Sequence, residues 1–403
     1  MPPSGSHLRR EGTSVALALV AFAFAVAALG ATLPTPIFPL YERQFGLSTA
    51  AVTVVFSTYA IAVVVTLLVA GGVSDRVGRK PVLIPGLLLS GASAVVLLTA
   101  QGTAALYIGR VLSGLSVGLF AGTATAMLVD LAPRGRREVA TSIAVAANIG
   151  GLGLGNLVSG SLDEWVPHPT RTPFAVDLGL LALALAALMI APETVRRRPS
   201  GVILRLARLR VPSEIRGLFW QAAIAGFCGF AVSGLFGAVA PSVMAQLLGV
   251  QSHVLAGLVV ALLFFASAAG QVTTPRLNNH TALMAGCICL IGGLALLAAA
   301  FLLHSFAVLV LSAVVAGAGQ GLTVGGGLAA VVARAAPGLR GEVASTYFVV
   351  TYVGLVIPVI GDGLATGALG LENAGLAFTA VLGALVIAVA ATLRRWRGVA
   401  TAA

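Results

Sequence analysis

Charge is scarce in this chain. Asp, Glu, Lys and Arg make up 9% of its 403 residues, and only 13 of those are acidic. A soluble domain carries about 25% charged residues, so a water-facing surface of ordinary composition is excluded. Cysteine is nearly missing too, with Cys228, Cys287 and Cys289 all inside apolar runs. The pair at 287 and 289 points to different faces of a helix, with no His or carboxylate nearby in sequence. Neither a disulfide nor a metal centre is expected. No clustered His, metal-ligand set or nucleophile–base pair is visible, so an intramembrane enzyme is a poor reading and no cofactor is expected.

Apolar residues take the place of charge, at 58% of the chain with a mean hydropathy of +1.03. Repeated runs of about twenty residues are long enough to cross ~30 Å of hydrocarbon as helices. Twelve spans are assigned, at about 14–37, 49–73, 81–100, 103–131, 139–162, 173–192, 215–244, 251–273, 281–302, 305–333, 342–369 and 372–392. Arg9 and Arg10 before the first run superficially suggest a signal peptide. That run passes through Pro34, Pro36 and Pro39 without a clear cleavage site, and is read as an uncleaved first span.

The net charge of +11 orients the chain; it does not indicate a nucleic-acid partner. Of the 24 Arg and Lys, Arg43 and Arg171 fall on one side and Arg110 lies inside a span. The other 21 occupy both termini and every second loop, which places both termini in the cytoplasm of a cell-membrane protein.

A half-chain repeat divides the chain. Ala132-Pro133-Arg134-Gly135-Arg136-Arg137-Glu138-Val139-Ala140 returns as Ala336-Pro337-Gly338-Leu339-Arg340-Gly341-Glu342-Val343-Ala344, 204 residues later. Each copy joins a fourth to a fifth span of its half. Two copies in the same membrane orientation imply two parallel six-helix bundles. Residues 1–192 form the first, 215–403 the second. Residues 193–214, with Arg196, Arg197, Arg198, Arg205, Arg208 and Arg210, read as a cytoplasmic linker carrying a basic amphipathic surface helix.

The sharpest local signal is the turn Gly71-Gly72-Val73-Ser74-Asp75-Arg76-Val77-Gly78-Arg79-Lys80 between spans 2 and 3. With the twelve spans and the mid-chain linker, it resembles the major facilitator superfamily, whose loop motif is Gly-x-Leu-Ala-Asp-Arg-x-Gly-Arg-Lys. The resemblance covers essentially the whole chain and implies an alternating-access transporter. It also implies that Gly71, Asp75, Arg76, Gly78, Arg79, Lys80 and Asp130 form a cytoplasmic latch. Asp75 would meet the start of span 11 near Gly341 to Ser345, where the helix dipole offers positive charge, and Arg79 would pair with Asp130. The equivalent second-half loop, Gly270 to Arg276, has lost the Asp. Alternatively, these charges are simply solvated and follow the positive-inside bias, which explains the bases but not Asp75 and Asp130.

Arg110 matches the Arg of the family's span-4 motif Arg-x-x-Gln-Gly, with Ser113 replacing the Gln. Such an arginine handles protons or substrate in related exporters; alternatively it is a hub for backbone carbonyls. Span 5 carries Gly151, Gly155, Asn156, Ser159 and Gly160, a degraded form of the antiporter motif without its proline. Glycines at this spacing allow close helix packing, and a pliable sealing helix is the sharper reading.

A coupling carboxylate is hard to find, since spans 1, 2, 4, 5, 7, 8 and 10 lack an acid at mid-depth. Asp362, flanked by Gly361 and Gly363, and Asp177 are the candidates, both towards the outer ends of their helices. Asn148, Gln320, Tyr59, Tyr347, Tyr352 and Arg110 complete a sparse pathway set, assigned from span membership. So few polar groups suit a hydrophobic or amphipathic small molecule. Proton-coupled export by a monomer is the leading expectation; proton-symport uptake of a small solute, or a non-transporting receptor or scaffold, are the alternatives.

Overall fold

A computed structural model describes residues 5–70, 72–133, 135–195, 209–336 and 339–400 of the chain. Among the described residues all regular structure is helical. Twelve helices are long and apolar enough to cross a membrane. In chain order they are spans 1 to 6, at Ser14–Thr32, Thr49–Ala70, Lys80–Leu98, Thr103–Leu131, Arg137–Trp165 and Thr172–Ile190. Spans 7 to 12 follow at Ser213–Ala238, His253–Arg276, Asn279–Leu302, Phe306–Arg334, Arg340–Leu369 and Leu371–Arg394. Helices are the required choice, because a backbone polar group without a partner costs several kcal/mol in hydrocarbon.

The pairing of helices follows the repeat. In the first half span 1 packs on spans 4, 5 and 6, span 2 on span 4, and span 3 on spans 4 and 6. The second half repeats the main pairs six spans later: 7 with 10 and 11, 8 with 10, and 9 with 10 and 12. Two seams join the halves, span 2 against span 11 and span 5 against span 8. These seams are equivalent under the repeat, as expected for two parallel bundles.

Two span ends differ from the sequence expectation, and proline is the reason both times. Span 1 ends at Thr32, then a turn leads into a separate short helix, α1, at Phe38–Phe45. Span 7 ends at Ala238 and is followed by a second short helix, α2, at Ala240–Gln246. Each short helix has a proline in its first turn, Pro39 and Pro241, where a missing N–H costs nothing. α1 and α2 pack on each other across the halves. Most of the expected linker, including the basic helix expected within it, lies outside the described residues.

Candidate functional site

The break at the end of span 1 frees backbone carbonyls. Pro34 and Pro36 have no N–H, so the helical partners of the Gly30 and Thr32 carbonyls do not exist. The Thr35 N–H turns back to the Thr32 oxygen at 3.0 Å, which leaves the Ala31 oxygen without it. Neighbouring helices then supply the donors. Arg110 Nη1 on span 4 donates to Ala31 O at 2.7 Å. Ser159 Oγ on span 5 donates to Leu33 O at 2.7 Å. Thr32 Oγ reaches Leu152 O at 2.8 Å in the other direction. Buried backbone groups need such partners, and spans 4 and 5 thereby hold the broken tip in place.

Arg110 is fully buried, with 1% of its surface exposed. Its guanidinium carbon lies 4.6 Å from the ring centre of Tyr59 and 5.5 Å from that of Phe56, both on span 2. Aromatic faces and one carbonyl therefore stand in for a counter-ion. Tyr352 on span 11 meets Phe230 of span 7 edge-on at 5.0 Å. A buried cation thus sits against two aromatic rings of span 2 within the first half.

The remaining expected pathway residues do not gather there. Gln320 is buried within the second half and accepts a hydrogen bond from Ser267 Oγ. Tyr347 is fully buried, its hydroxyl pointing at the Thr323 and Val324 carbonyls of span 10 at 3.2 and 3.3 Å. Both were expected along the pathway; their polar groups find partners within the second bundle, as buried polar groups must. Asn148 is half-buried on span 5. Asp362 is buried, and neither of its carboxyl oxygens has a hydrogen-bond partner. Asp177 is buried against the Gly30 position of span 1. Asp163, not singled out by sequence, is buried at the far end of span 5 beside Ser159.

The end of the molecule bearing the basic loops holds a compact charge cluster. Arg79 is buried and donates to Asp130 Oδ2 at 3.1 Å, Asp75 Oδ1 at 2.6 Å and Ser74 Oγ at 2.8 Å. Glu193, which follows span 6, accepts from the Arg79 and Lys80 backbone N–H groups at 2.9 Å each. Burial pushes the Glu193 carboxyl up, but the N–H donors of Arg79, Val195, Lys80 and Thr194 outweigh it and hold the group below its ordinary value. Lys80 Nζ closes the end of span 6 through the Met189 and Ala191 carbonyls, both at 2.9 Å. Gly78 turns the chain here with φ of 104°, and a side chain at this position would strike Glu193. Arg76 is half-buried, while Gly71 lies outside the described residues.

Asp75 does not meet the start of span 11 in this structure. Its side chain is 65% exposed and bonds Arg79 of its own half rather than the start of span 11. Gly341, where contact was expected, is exposed. The physical reason is visible at the opposite end, where the halves meet. There Glu164 accepts from Ser252 Oγ at 2.5 Å and Val254 N at 3.0 Å. Ser242 of α2 donates to the Glu42 carboxylate of α1 at 3.3 Å. Gly160 and Gly257 let spans 5 and 8 touch so closely that a side chain on either would strike the other helix's backbone. These contacts join the halves at the end opposite Asp75. Sequence reading missed Glu193, Glu42, Glu164, Ser242 and Ser252; acids at span ends look solvated until the fold brings a partner to them.

The sequence profile of the Major Facilitator Superfamily matches residues 20–358. The chain belongs to that superfamily. Its twelve helices of spanning length fit a polytopic membrane protein of that superfamily, which consists of transporters rather than enzymes. A chloramphenicol resistance protein of Pseudomonas aeruginosa is 27% identical over 285 residues, 68% of this chain and 65% of that protein. The quinolone resistance protein NorA of Staphylococcus aureus is 25% identical over 162 residues, 40% of this chain and 42% of NorA. The chain thus matches less than two thirds of the length of either relative. Among solved structures, a POT family transporter superposes with a TM-score of 0.75 at 13% identity, covering 94% of this chain and 95% of that one. An inward-facing, occupied bacterial homologue of the lysosomal transporter Spinster gives 0.71 at 16% identity, covering 95% and 97%. Both share the fold.

Proposed function

We propose that this transporter exports hydrophobic or amphipathic, aromatic small molecules from the cell in exchange for protons, acting as a monomer with both termini in the cytoplasm. The observation that carries this reading is the buried Arg110 set against the Tyr59 and Phe56 rings of span 2. Aromatic walls with one cation bind flat, neutral or weakly anionic molecules better than sugars or amino acids, which need many converging donors and acceptors. The named functions of the two resistance proteins agree with export of such compounds. In this orientation the basic end faces the cytoplasm, and the contacts that join the halves at the opposite end support an inward-facing reading. The Asp75 cluster then serves the opposite state, in which the basic ends of the halves close and Asp75 meets the start of span 11. Asp362 is the proposed carrier of the coupling proton in the second half.

Purified protein in proteoliposomes tests this with chloramphenicol and a quinolone as probes. An imposed pH gradient drives their accumulation, and counterflow of unlabelled compound proceeds without one. Failure of counterflow with every compound that binds would refute transport of this class. Cells lacking the protein accumulate more of the probe; lower accumulation would mean import.

A further inference from the structure

Asp163 is one of two buried acids, with Asp177, that the proposed mechanism leaves unused. It lies one helical turn after Ser159 on span 5, with 7% of its surface exposed. Its Oδ1 has no hydrogen-bond partner, and its Oδ2 lies 3.5 Å from Ser159 Oγ. Ser159 has a single hydroxyl hydrogen, and the Leu33 oxygen claims it at 2.7 Å. At 3.5 Å the contact is longer than a hydroxyl hydrogen bond, so the buried carboxyl has neither a close donor nor a cation to stabilise its charge. An ionised Asp163 would compete with Leu33 O for the Ser159 hydrogen, and charge-assisted bonds are roughly twice as strong as neutral ones.

The groups facing this point are few. From α1, the Tyr41 hydroxyl is buried without a partner. From span 6, Asp177 packs against Gly30. From span 4, Arg110 is engaged at Ala31. Glu164, the next residue, is committed to span 8, where His253 feels both Glu164 and Arg43. Among the described residues no cation pairs with Asp163.

We infer that Asp163 is a proton-binding site that controls how firmly span 5 grips the broken end of span 1. With the proton bound, Asp163 is neutral, Ser159 donates to Leu33 O, and the tip is held against the closed outer seam. When the carboxyl O–H bond breaks, the proton leaves to water at the outer mouth. The carboxylate then draws the Ser159 hydrogen to itself, and Leu33 O is released. This inference rests on the proton-coupled reading and locates one protonation event at the tip that α1 connects to the seam.

The test uses full-length protein in vesicles, with spin labels at Q44C and Q246C on α1 and α2, which are exposed. Infrared difference spectra across pH report the carbonyl stretch of protonated carboxyls. Wild-type protein is expected to show a band that titrates together with a shift in the label distance. Asp163→Asn should remove that band and hold the short distance at every pH. Ser159→Ala should keep the band and lose the distance shift. A band and a shift both unchanged in Asp163→Asn would overturn the inference, whatever the transport data show. The band assigned to Asp163 without any pH-driven chloramphenicol flux would uphold the site and refute the coupling reading. Driven flux in wild type, with an unaltered band in Asp163→Asn, would do the reverse.

Discussion

Arg110 Nη1 lies 2.7 Å from the carbonyl oxygen of Ala31, a group that the following proline-rich turn cannot satisfy. A cation on span 4 thereby completes the backbone of span 1 while its guanidinium plane rests on Tyr59. Arg110→Lys keeps the charge but loses the planar stacking that an ammonium cannot reproduce. Hydrogen bonds to charged groups contribute about 1.5–3 kcal/mol, so removing this one should slow chloramphenicol counterflow roughly ten- to hundredfold. Arg110→Ala should also lower the melting temperature, since two aromatic faces lose their partner. Wild-type rates in Arg110→Lys would show that charge alone matters.

Arg79 holds Asp75 and Asp130 with different strength, because Asp75 is 65% exposed and Asp130 35%. An exposed pair contributes at most about 1 kcal/mol, whereas a buried cation stripped of its better partner is costly. Asp130→Asn is therefore expected to lower the melting temperature more than Asp75→Asn. Asp75→Asn acts elsewhere, in the state where the basic ends meet. Spin labels at E138C and N278C, both exposed near the basic end, should report a larger share of the parted form in that variant. Equal distance distributions would remove Asp75 from the switch.

Glu193 makes stability depend on pH in a defined direction. Its folded value is held below the ordinary one by four backbone N–H groups acting against burial. Such a group stabilises the fold above its unfolded value, and the contribution is lost as pH falls through the folded value. Thermal unfolding in detergent should therefore show a decline below the ordinary carboxylate range. Glu193→Gln should start lower at neutral pH and decline less. A parallel pair of pH profiles would mean that the loop does not need the charge.

Glycine at the seam sets how closely the outer ends can approach. A methyl group at Gly160 would overlap the His253 backbone, and one at Gly257 the Asn156 backbone. Overpacking of this kind costs about 1–3 kcal/mol, enough to move a two-state equilibrium by roughly five- to 150-fold. Gly160→Ala and Gly257→Ala should separate labels at Q44C and Q246C and bring those at the basic end together. Unchanged populations would show that the seam relaxes around the added carbon.

Asp362 is buried without a partner for either carboxyl oxygen. Asp362→Asn is expected to abolish accumulation driven by a pH gradient and to leave probe exchange intact, as measured in proteoliposomes. Persisting driven uptake would exclude this carboxyl as a coupling group.

Much of this protein is written locally. Low charge, apolar runs of membrane-spanning length and the basic bias of alternate loops determine twelve helices, because hydrocarbon tolerates no unpaired backbone. The repeat at Ala132 and Ala336 determines two like bundles, and the Asp75-to-Lys80 turn marks the family. Tertiary structure decided what cannot be read along one strand of residues. Arg110 finds Ala31, and Ser159 finds Leu33, only because prolines at 34 and 36 open carbonyls that packed neighbours then fill. Gln320 and Tyr347 bond within the second bundle, to a hydroxyl and a carbonyl that the sequence does not place beside them. Asp75 looked like a bridge between the halves and here bonds within one of them. Which end closes depends on the balance between two seams, and that balance is a property of the assembled halves rather than of any single motif.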